Sequence, residues 1–325
     1  MAKIEQCENS IHIPEDTIVT LTKTGETTEL GYSSFKSRGS PTTRVSKNQY
    51  IINYTGELCE YKHTSNRSQN YKSFNRSLAH ARRMINLNVT NLSQCRWVTL
   101  TYHENMMDSG RLTKNINKFH EKCRNKYGQY KYIEAVEAQE RGAWHFHIIM
   151  IFDQKATAPF IPIDVLKKKW KHGDVTIKSI NNPYDLSLYL TTCVGDVPLD
   201  EYTGPVDKKK IKTVTVDGQL KQYVKGARIH LYPAGFNNFR YSTGLKRPVK
   251  EYMTYGEAKK RLKDSTPVYS LSLKITDDEH NFTGYVKHDT YISKKGYKCY
   301  AAYEREQDYK YKQIQDSDYD DQSEP

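Results

Sequence analysis

Residues 144–150 read Trp-His-Phe-His-Ile-Ile-Met, and a segment that alternates in this way has few folds open to it. On a strand, side chains two apart share a face, so His145 and His147 point one way while Trp144, Phe146, Ile148 and Met150 point the other. Residues 130–139 read as a second strand, and Glu140-Arg141-Gly142-Ala143 as the tight connection of a hairpin. Folded back, that hairpin carries Glu137 opposite the histidines. Glu137, His145 and His147 then make a candidate site of two imidazoles and one carboxylate, able to hold one divalent cation with positions left open. A His-x-His pair alone says little, because most imidazoles bind nothing. The sequence around it gives it weight.

Around the hairpin the hydrophobic period changes. Residues 71–88 place Phe74, Leu78, Ala81 and Ile85 at helical spacing. Residues 97–102 alternate as a strand with Thr99 and Thr101 on one face. Asp108 and Ser109 can open a helix that runs to about Tyr127, where Gly128 stops it. After a strand at 144–152, Pro159 and Pro162 mark a loop, followed by a short helix near 164–170 and a strand at 175–179. A further helix opens near Pro183 and runs through Tyr189. From residue 97 the order is β-α-β-β-α-β-α, which predicts the α+β class: an antiparallel central sheet with helices packed on one face, a split β-α-β core of RRM or ferredoxin-like type. The expected organisation is an N-terminal region of unclear role at 1–66, a catalytic domain at 67–250, and a C-terminal region at 251–325.

Composition narrows the function classes. Mean hydropathy is −0.83 and no run of about 18 apolar residues exists, which excludes a membrane-spanning helix. The six cysteines, at 7, 59, 95, 123, 193 and 299, show neither Cys-x-x-Cys nor a short framework spacing, and the N-terminus lacks an apolar signal core. Reduced thiols in a cytoplasmic protein are expected. Residues 304–325 carry eight acidic and three basic side chains and read as a disordered, solvating tail. Setting that −5 aside, the overall +12 becomes +17 on residues 1–303, a charge suited to a polyanion. Its clusters are Arg82-Arg83, Lys167 to Lys169 with Trp170 and Lys171, Lys208 to Lys210, and Lys246-Arg247. Aromatics beside several of them suit a single-strand groove, whereas the bland reading is a set of solvated faces. Thr99, Thr101, Lys246 and Arg247 are the candidate DNA-binding residues, with the sheet face of the two threonines lying along the strand.

Three ordered segments, Trp97-Val-Thr-Leu-Thr-Tyr102, Glu137 with Arg141-Gly-Ala-Trp-His-Phe-His147, and Tyr184-Asp-Leu-Ser-Leu-Tyr-Leu-Thr-Thr-Cys-Val-Gly-Asp196, carry a resemblance. Together with Glu104-Asn-Met-Met-Asp108 and Trp170-Lys-His-Gly173 they are similar to the motifs of rolling-circle replication initiators in the HUH endonuclease superfamily. The likeness is to the plasmid and mobile-element initiators of Gram-positive bacteria. It extends from about residue 55 through Lys225-Gly-Ala-Arg-Ile-His-Leu-Tyr-Pro233 to about Pro248. The resemblance implies an HUH core and an enzyme that nicks and joins single-stranded DNA at its origin. In that reaction Tyr189 would attack a phosphodiester and form a 5′-phosphotyrosine, leaving a 3′-hydroxyl for the host polymerase.

The implied cofactor is a divalent metal, Mn²⁺ or Mg²⁺, at Glu137, His145 and His147, and the implied partners are single-stranded or hairpin origin DNA with a host helicase and polymerase in the bacterial cytoplasm. Elementary chemistry agrees, since a phenol with a pKa of about 10 is a poor nucleophile at neutral pH and gains from a cation on the scissile phosphate.

Departures from the family pattern are visible. Leu190, Thr191 and Thr192 follow Tyr189, so the lysine of the common Tyr-x-x-Lys motif is missing, and Cys193 stands where a second tyrosine would. Tyr184 faces about 140° away from Tyr189 on a helix, which leaves one nucleophile. A conjugative relaxase or mobilisation nickase would share the metal pair and tyrosine, but its usual third histidine and N-terminal tyrosine are not seen. A catalytically inactive DNA-binding module is the non-enzymatic alternative. A hydrolytic zinc enzyme lacks its His-Glu-x-x-His signature, and no Gly-x-x-x-x-Gly-Lys-Ser/Thr loop is present to drive strand separation.

Overall fold

The computed structural model describes residues 3–294, apart from 8–9, 36–39, 41, 62–64, 140–141, 181–182, 201–207, 209–210, 217–218 and 277–281. The acidic tail, Cys299 and residues 209–210 lie outside the described residues, and so do the side chains of Tyr184, Tyr189 and Cys193. The chain divides into two compact units, residues 64–247 and the two flanks 1–63 with 248–325.

The first flank contributes β1 (Lys3–Gln6), β2 (Ile18–Thr24) and β3 (Thr27–Ser33), then β4 (Thr42–Arg44), β5 (Gln49–Ile52) and β6 (Leu58–Glu60). The last three form a small antiparallel sheet of their own.

In the second unit α1 (Tyr71–Asn88) starts where the Asn70 side chain accepts the Ser73 N–H, and it buries Phe74, Ala81, Met84 and Ile85 at helical spacing. Strand β7 (Cys95–Leu100) follows. Helix α2 (Ser109–Tyr127) opens on Asp108, whose carboxylate accepts the N–H groups of Gly110 and Arg111, and it ends at Gly128 with φ +85°. Then come β8 (Lys131–Ala138), β9 (Trp144–Ile151), α3 (Ile163–Trp170), β10 (Val175–Lys178) and α4 (Pro183–Gly195). Strands β11 (Val197–Pro198), β12 (Ile211–Val216) and β13 (Gln219–Val224) make a second small sheet, and β14 (Phe239–Tyr241) joins the main one.

The main sheet is antiparallel throughout with strand order β10-β7-β9-β8-β14. This is an α+β arrangement, as the element order predicts. The fifth strand, β14, was not legible in the sequence.

The expectation of helices on one face is corrected. His120 of α2 stacks on Tyr132 with ring centroids 3.9 Å apart, and Trp170 of α3 meets the edge of Phe146 at 6.1 Å, so these two helices cover the face of Tyr132, Glu134 and Phe146. On the other face His80 of α1 meets Tyr241, the cross-strand partner of Ile133, and the Arg82 Nε of α1 donates to Thr191 Oγ1 of α4 at 2.9 Å. A sheet apolar on both sides has to be covered on both. Trp144, Phe146, Ile148, Ile149 and Met150 are all fully buried, so β9 is less amphipathic than its His-x-His start implies.

The chain then returns to the first unit as β15 (Lys250–Thr254), α5 (Tyr255–Leu262), β16 (Ser265–Thr276) and β17 (Phe282–Ser293). The six strands run in the order β1-β16-β17-β3-β2-β15 over a core of Ile13, Val19, Leu21, Leu30, Met253, Ala258 and Leu262. Sequence reading set residues 1–66 and 251–325 apart. Strands from both build this one sheet. Among the described residues no helix is long and apolar enough to cross a membrane, and the four described cysteines are free.

Candidate active site

The β8–β9 register sets Glu137 across from His145 and Ala135 across from His147, and β7 sets Thr99 across from His147 on its other side. Cross-strand partners share a face, so Glu137, His145, His147 and Thr99 lie together, on the side covered by α1 and α4. The hairpin end closes with the Gln139 N–H donating to the Ala143 carbonyl and the Gly142 N–H to the Gln139 carbonyl, each at 2.8 Å, with Gly142 at φ +89°. That left-handed position suits a residue without Cβ.

His147 Nε2 lies 2.6 Å from Glu137 Oε2, and His147 Nδ1 lies 3.2 Å from Thr99 Oγ1. Trp97 borders the same imidazole, with ring centroids 6.1 Å apart. The other carboxylate oxygen, Glu137 Oε1, accepts from Arg228 Nη1, which also donates to the Ala138 carbonyl at 3.1 Å. The Glu137 side chain is 14% exposed and that of Arg228 6%. Burial pushes the Glu137 carboxyl up, but the His147 hydrogen bond and the positive charges of His147, Arg228 and His145 outweigh it and hold the group below the usual carboxylate range. Glu137 is therefore charged at neutral pH.

The donor chemistry fits a borderline divalent cation, and the Thr99 hydroxyl behind His147 is the kind of partner that orients a ligand imidazole. Here the Glu137 oxygens are held by His147 and Arg228. Among the described residues no group of three His, Cys, Asp or Glu side chains stands in metal-holding geometry.

Tyr189 lies on α4, whose Leu186, Leu190 and Val194 are buried at four-residue spacing. The far end of this helix is clipped to β8. The Tyr232 hydroxyl accepts the Ala138 N–H at 2.8 Å and lies 2.8 Å from the Val194 carbonyl and 3.2 Å from that of Val136. The Arg228 N–H donates to the Gly195 carbonyl at 3.1 Å, and the Gly226 N–H to Asp196 Oδ1 at 2.7 Å. One turn, residues 226–232, thus ties the end of the tyrosine helix to the strand end that bears Glu137.

Of the other expected site residues, Thr101 does not join this group. It follows β7, and its hydroxyl accepts the Asp174 N–H at 2.9 Å while the Trp170 Nε1–H donates to its carbonyl at 2.6 Å. Gly173 permits that approach, since a Cβ there would sit 2.3 Å from the Thr101 carbonyl oxygen.

Lys246 and Arg247 are also elsewhere. Lys246 lines a small cavity with Asn88, Lys131, Ile151 and Asp153, at the open end of the hairpin, where Lys131 stands six residues, or about 20 Å, from Glu137. The Arg247 guanidinium lies 5.6 Å from the Tyr241 ring centre. Arg82, counted above in a basic cluster, is part of the α1–α4 contact.

Arg228 and Tyr232 were missed in sequence reading. The run from Lys225 to Pro233, similar to the initiator family, was the signal that could have found them.

The family model described as replication-associated protein ORF2 matches residues 95–193, less than a third of the chain. The match begins at the first residue of β7 and ends on α4. It therefore spans Thr99, Glu137, His145, His147 and Tyr189, and it stops before Arg228. The match supports a replication initiator and, with it, DNA as a partner. A comparison with curated proteins finds no match.

Proposed function

We propose that the chain initiates rolling-circle replication by nicking and rejoining single-stranded origin DNA through Tyr189. The observation that carries the reading is the facing of Glu137 and His145 with His147 hydrogen-bonded to Glu137, inside the segment that matches replication-associated proteins. The Tyr189 oxygen would bond to phosphorus as the bond to the 3′-oxygen breaks. The phenol proton leaves to water or a neighbouring base, and the 3′-hydroxyl is freed for a host polymerase. Rejoining runs the same step in reverse. Glu137, His145 and His147 would hold the cation, and Mn²⁺ suits two nitrogens and one carboxylate better than Mg²⁺ does, although Mg²⁺ is the more abundant. When bound, the metal would polarise the scissile phosphate and offset charge developing on it.

Of the chain's own groups, Thr99 would orient His147, and the 226–232 turn would hold the tyrosine helix against the metal-bearing strand. Thr99, Lys246 and Arg247 remain the proposed contacts along the strand, in the bacterial cytoplasm with a host helicase opening the duplex. An HUH enzyme of the Gram-positive plasmid type is the finer form of this reading. The hold of Arg228 on Glu137 is the observation that favours the inactive-module alternative.

The test is incubation of the full chain with Mn²⁺ and single strands tiled across the DNA flanking its gene, read as a covalent protein–DNA band. Tyr189→Phe should bind the same strand and form no band, and EDTA or His147→Ala should abolish the band for the wild type and variant respectively. An undiminished band from Tyr189→Phe would refute the assignment, and no band on any strand would favour the inactive module.

A further inference from the structure

Arg228 occupies an unusual position for a buried cation. Its backbone is bonded to the last residue of the tyrosine helix, through Gly195, while its guanidinium is bonded to Glu137, the carboxylate that the reading above assigns to the metal. An arginine is charged at any pH at which proteins fold, so this contact cannot be released by losing a proton. It can be released only by exchange for another anion.

We infer that Arg228 is a counter-ion that exchanges partners, paired with Glu137 in the DNA-free protein and with a DNA phosphate when the metal is bound. The inference rests on the metal reading of Glu137, His145 and His147. Charge balance supports it. Glu137 and Arg228 together are neutral, and both are largely buried. A divalent cation entering alone would bring two uncompensated positive charges beside a guanidinium it must displace, and little solvent is present to screen them. A phosphodiester arriving with it halves that excess. The phosphate also offers the displaced guanidinium an acceptor matched to its paired N–H groups, while the bond to the Ala138 carbonyl can keep the arginine in place. Arg228 would then sit at the phosphate by virtue of its tether to the helix that carries the nucleophile.

The consequence is a coupling between two ligands. Metal should bind weakly without DNA and more tightly with it, and DNA should gain from metal by the same factor, because linkage is reciprocal. Arg228 therefore acts as a positioning residue that makes the metal wait for its substrate.

The experiment is a Mn²⁺ titration of the full chain, followed by the electron paramagnetic resonance signal of free Mn²⁺, with and without saturating oligo-dT single strand. The wild type should bind Mn²⁺ about tenfold tighter in the presence of oligo-dT, a typical coupling factor. Arg228→Gln should bind Mn²⁺ without DNA about as tightly as the wild type does with it, and show little further gain. Arg228→Lys, which keeps a charge but loses the paired geometry, should keep part of the coupling. Wild-type affinity that is equal with and without DNA overturns the inference while leaving the metal reading intact. Weaker binding by Arg228→Gln in both conditions, with its tryptophan emission native, would make the residue a structural prop and also overturn it. Absence of Mn²⁺ binding by the wild type in either condition would sink the inference and the metal reading together.

Discussion

The pair Glu137–Arg228 can be weighed directly by replacing Glu137 with Gln in metal-free protein. The amide keeps the shape and one acceptor oxygen but removes the negative charge, leaving the guanidinium of Arg228, 6% exposed, without its compensating carboxylate. Breaking a buried pair in this way costs about 3–5 kcal/mol. Because Glu137 is 14% exposed and Gln still accepts a hydrogen bond, the lower end applies, about 3 kcal/mol at pH 7. The pH dependence has a definite sign. The folded carboxyl lies below its ordinary value of 4.5, so its stabilisation is fully present above pH 4.5 and is lost as pH falls through the folded value. The gap between wild type and Glu137→Gln should therefore be widest near neutrality and narrow as the pH drops below 4.5.

Urea unfolding in EDTA, followed by tryptophan emission, reads this cleanly, because all three tryptophans, Trp97, Trp144 and Trp170, lie in the 64–247 unit. A gap under about 1 kcal/mol at pH 7 would mean that this ion pair contributes no more than an exposed one. A gap that stays constant into acid would show that shape, not charge, is what Gln disturbs.

Two further outcomes follow from packing and burial. Tyr232→Phe removes a fully buried hydroxyl that satisfies the Ala138 N–H; it should cost about 1–3 kcal/mol in the same unfolding assay. It should also lower adduct formation while leaving Mn²⁺ affinity unchanged, and loss of stability with full adduct yield would uncouple the 226–232 turn from the tyrosine helix. A brief iodoacetamide pulse, mapped by peptide mass, should label the half-exposed Cys7 and Cys59 and spare Cys95 and Cys123, whose thiols burial pushes up to about 11. Labelling of Cys95 at the rate of Cys59 would contradict the packing of β7 against the core.

Much of the 64–247 unit was legible because its elements announce themselves locally. Helix α2 has an Asp108 cap, apolar residues at helical spacing and Gly128 at its end, so its bounds follow from single side chains. The Glu137–His145 pairing followed from alternation and a short turn, which together fix register. What escaped was non-local. Strand β14 is three residues long and gains its identity only by pairing with β8. The six-stranded sheet joins segments separated by more than two hundred residues, such as β3 with β17, and no periodicity reports such a partner. Arg228 was invisible for the same reason, since its meaning comes from Glu137, ninety-one positions away. Lys246 and Arg247 looked like groove residues by composition, yet composition carries no distance.

The sheet holds a second carboxylate–imidazole pair, and the contrast bears on which of the two is suited to chemistry. His120 Nε2 is hydrogen-bonded to Glu134 Oε1, and His120 Nδ1 lies 2.8 Å from the Tyr130 hydroxyl. Glu134 is 1% exposed and His120 2%. Three positions separate Glu134 from Glu137 on β8, and that odd spacing sends them to opposite faces. The Glu134 pair is closed in by the stacked ring of Tyr132 and by Arg124 over Tyr130 and Tyr132. Such a network fixes the packing of α2 on the sheet. It offers a substrate no approach.

The Glu137 pair has the same two functional groups in different company. Its carboxylate keeps some exposure, its histidine is the second of two on the strand, and its remaining partner is a cation tied to a different helix. A carboxylate and an imidazole in contact are therefore no sign of catalysis in themselves. What distinguishes the Glu137 pair is that its partners are ones an incoming cation and phosphate could replace.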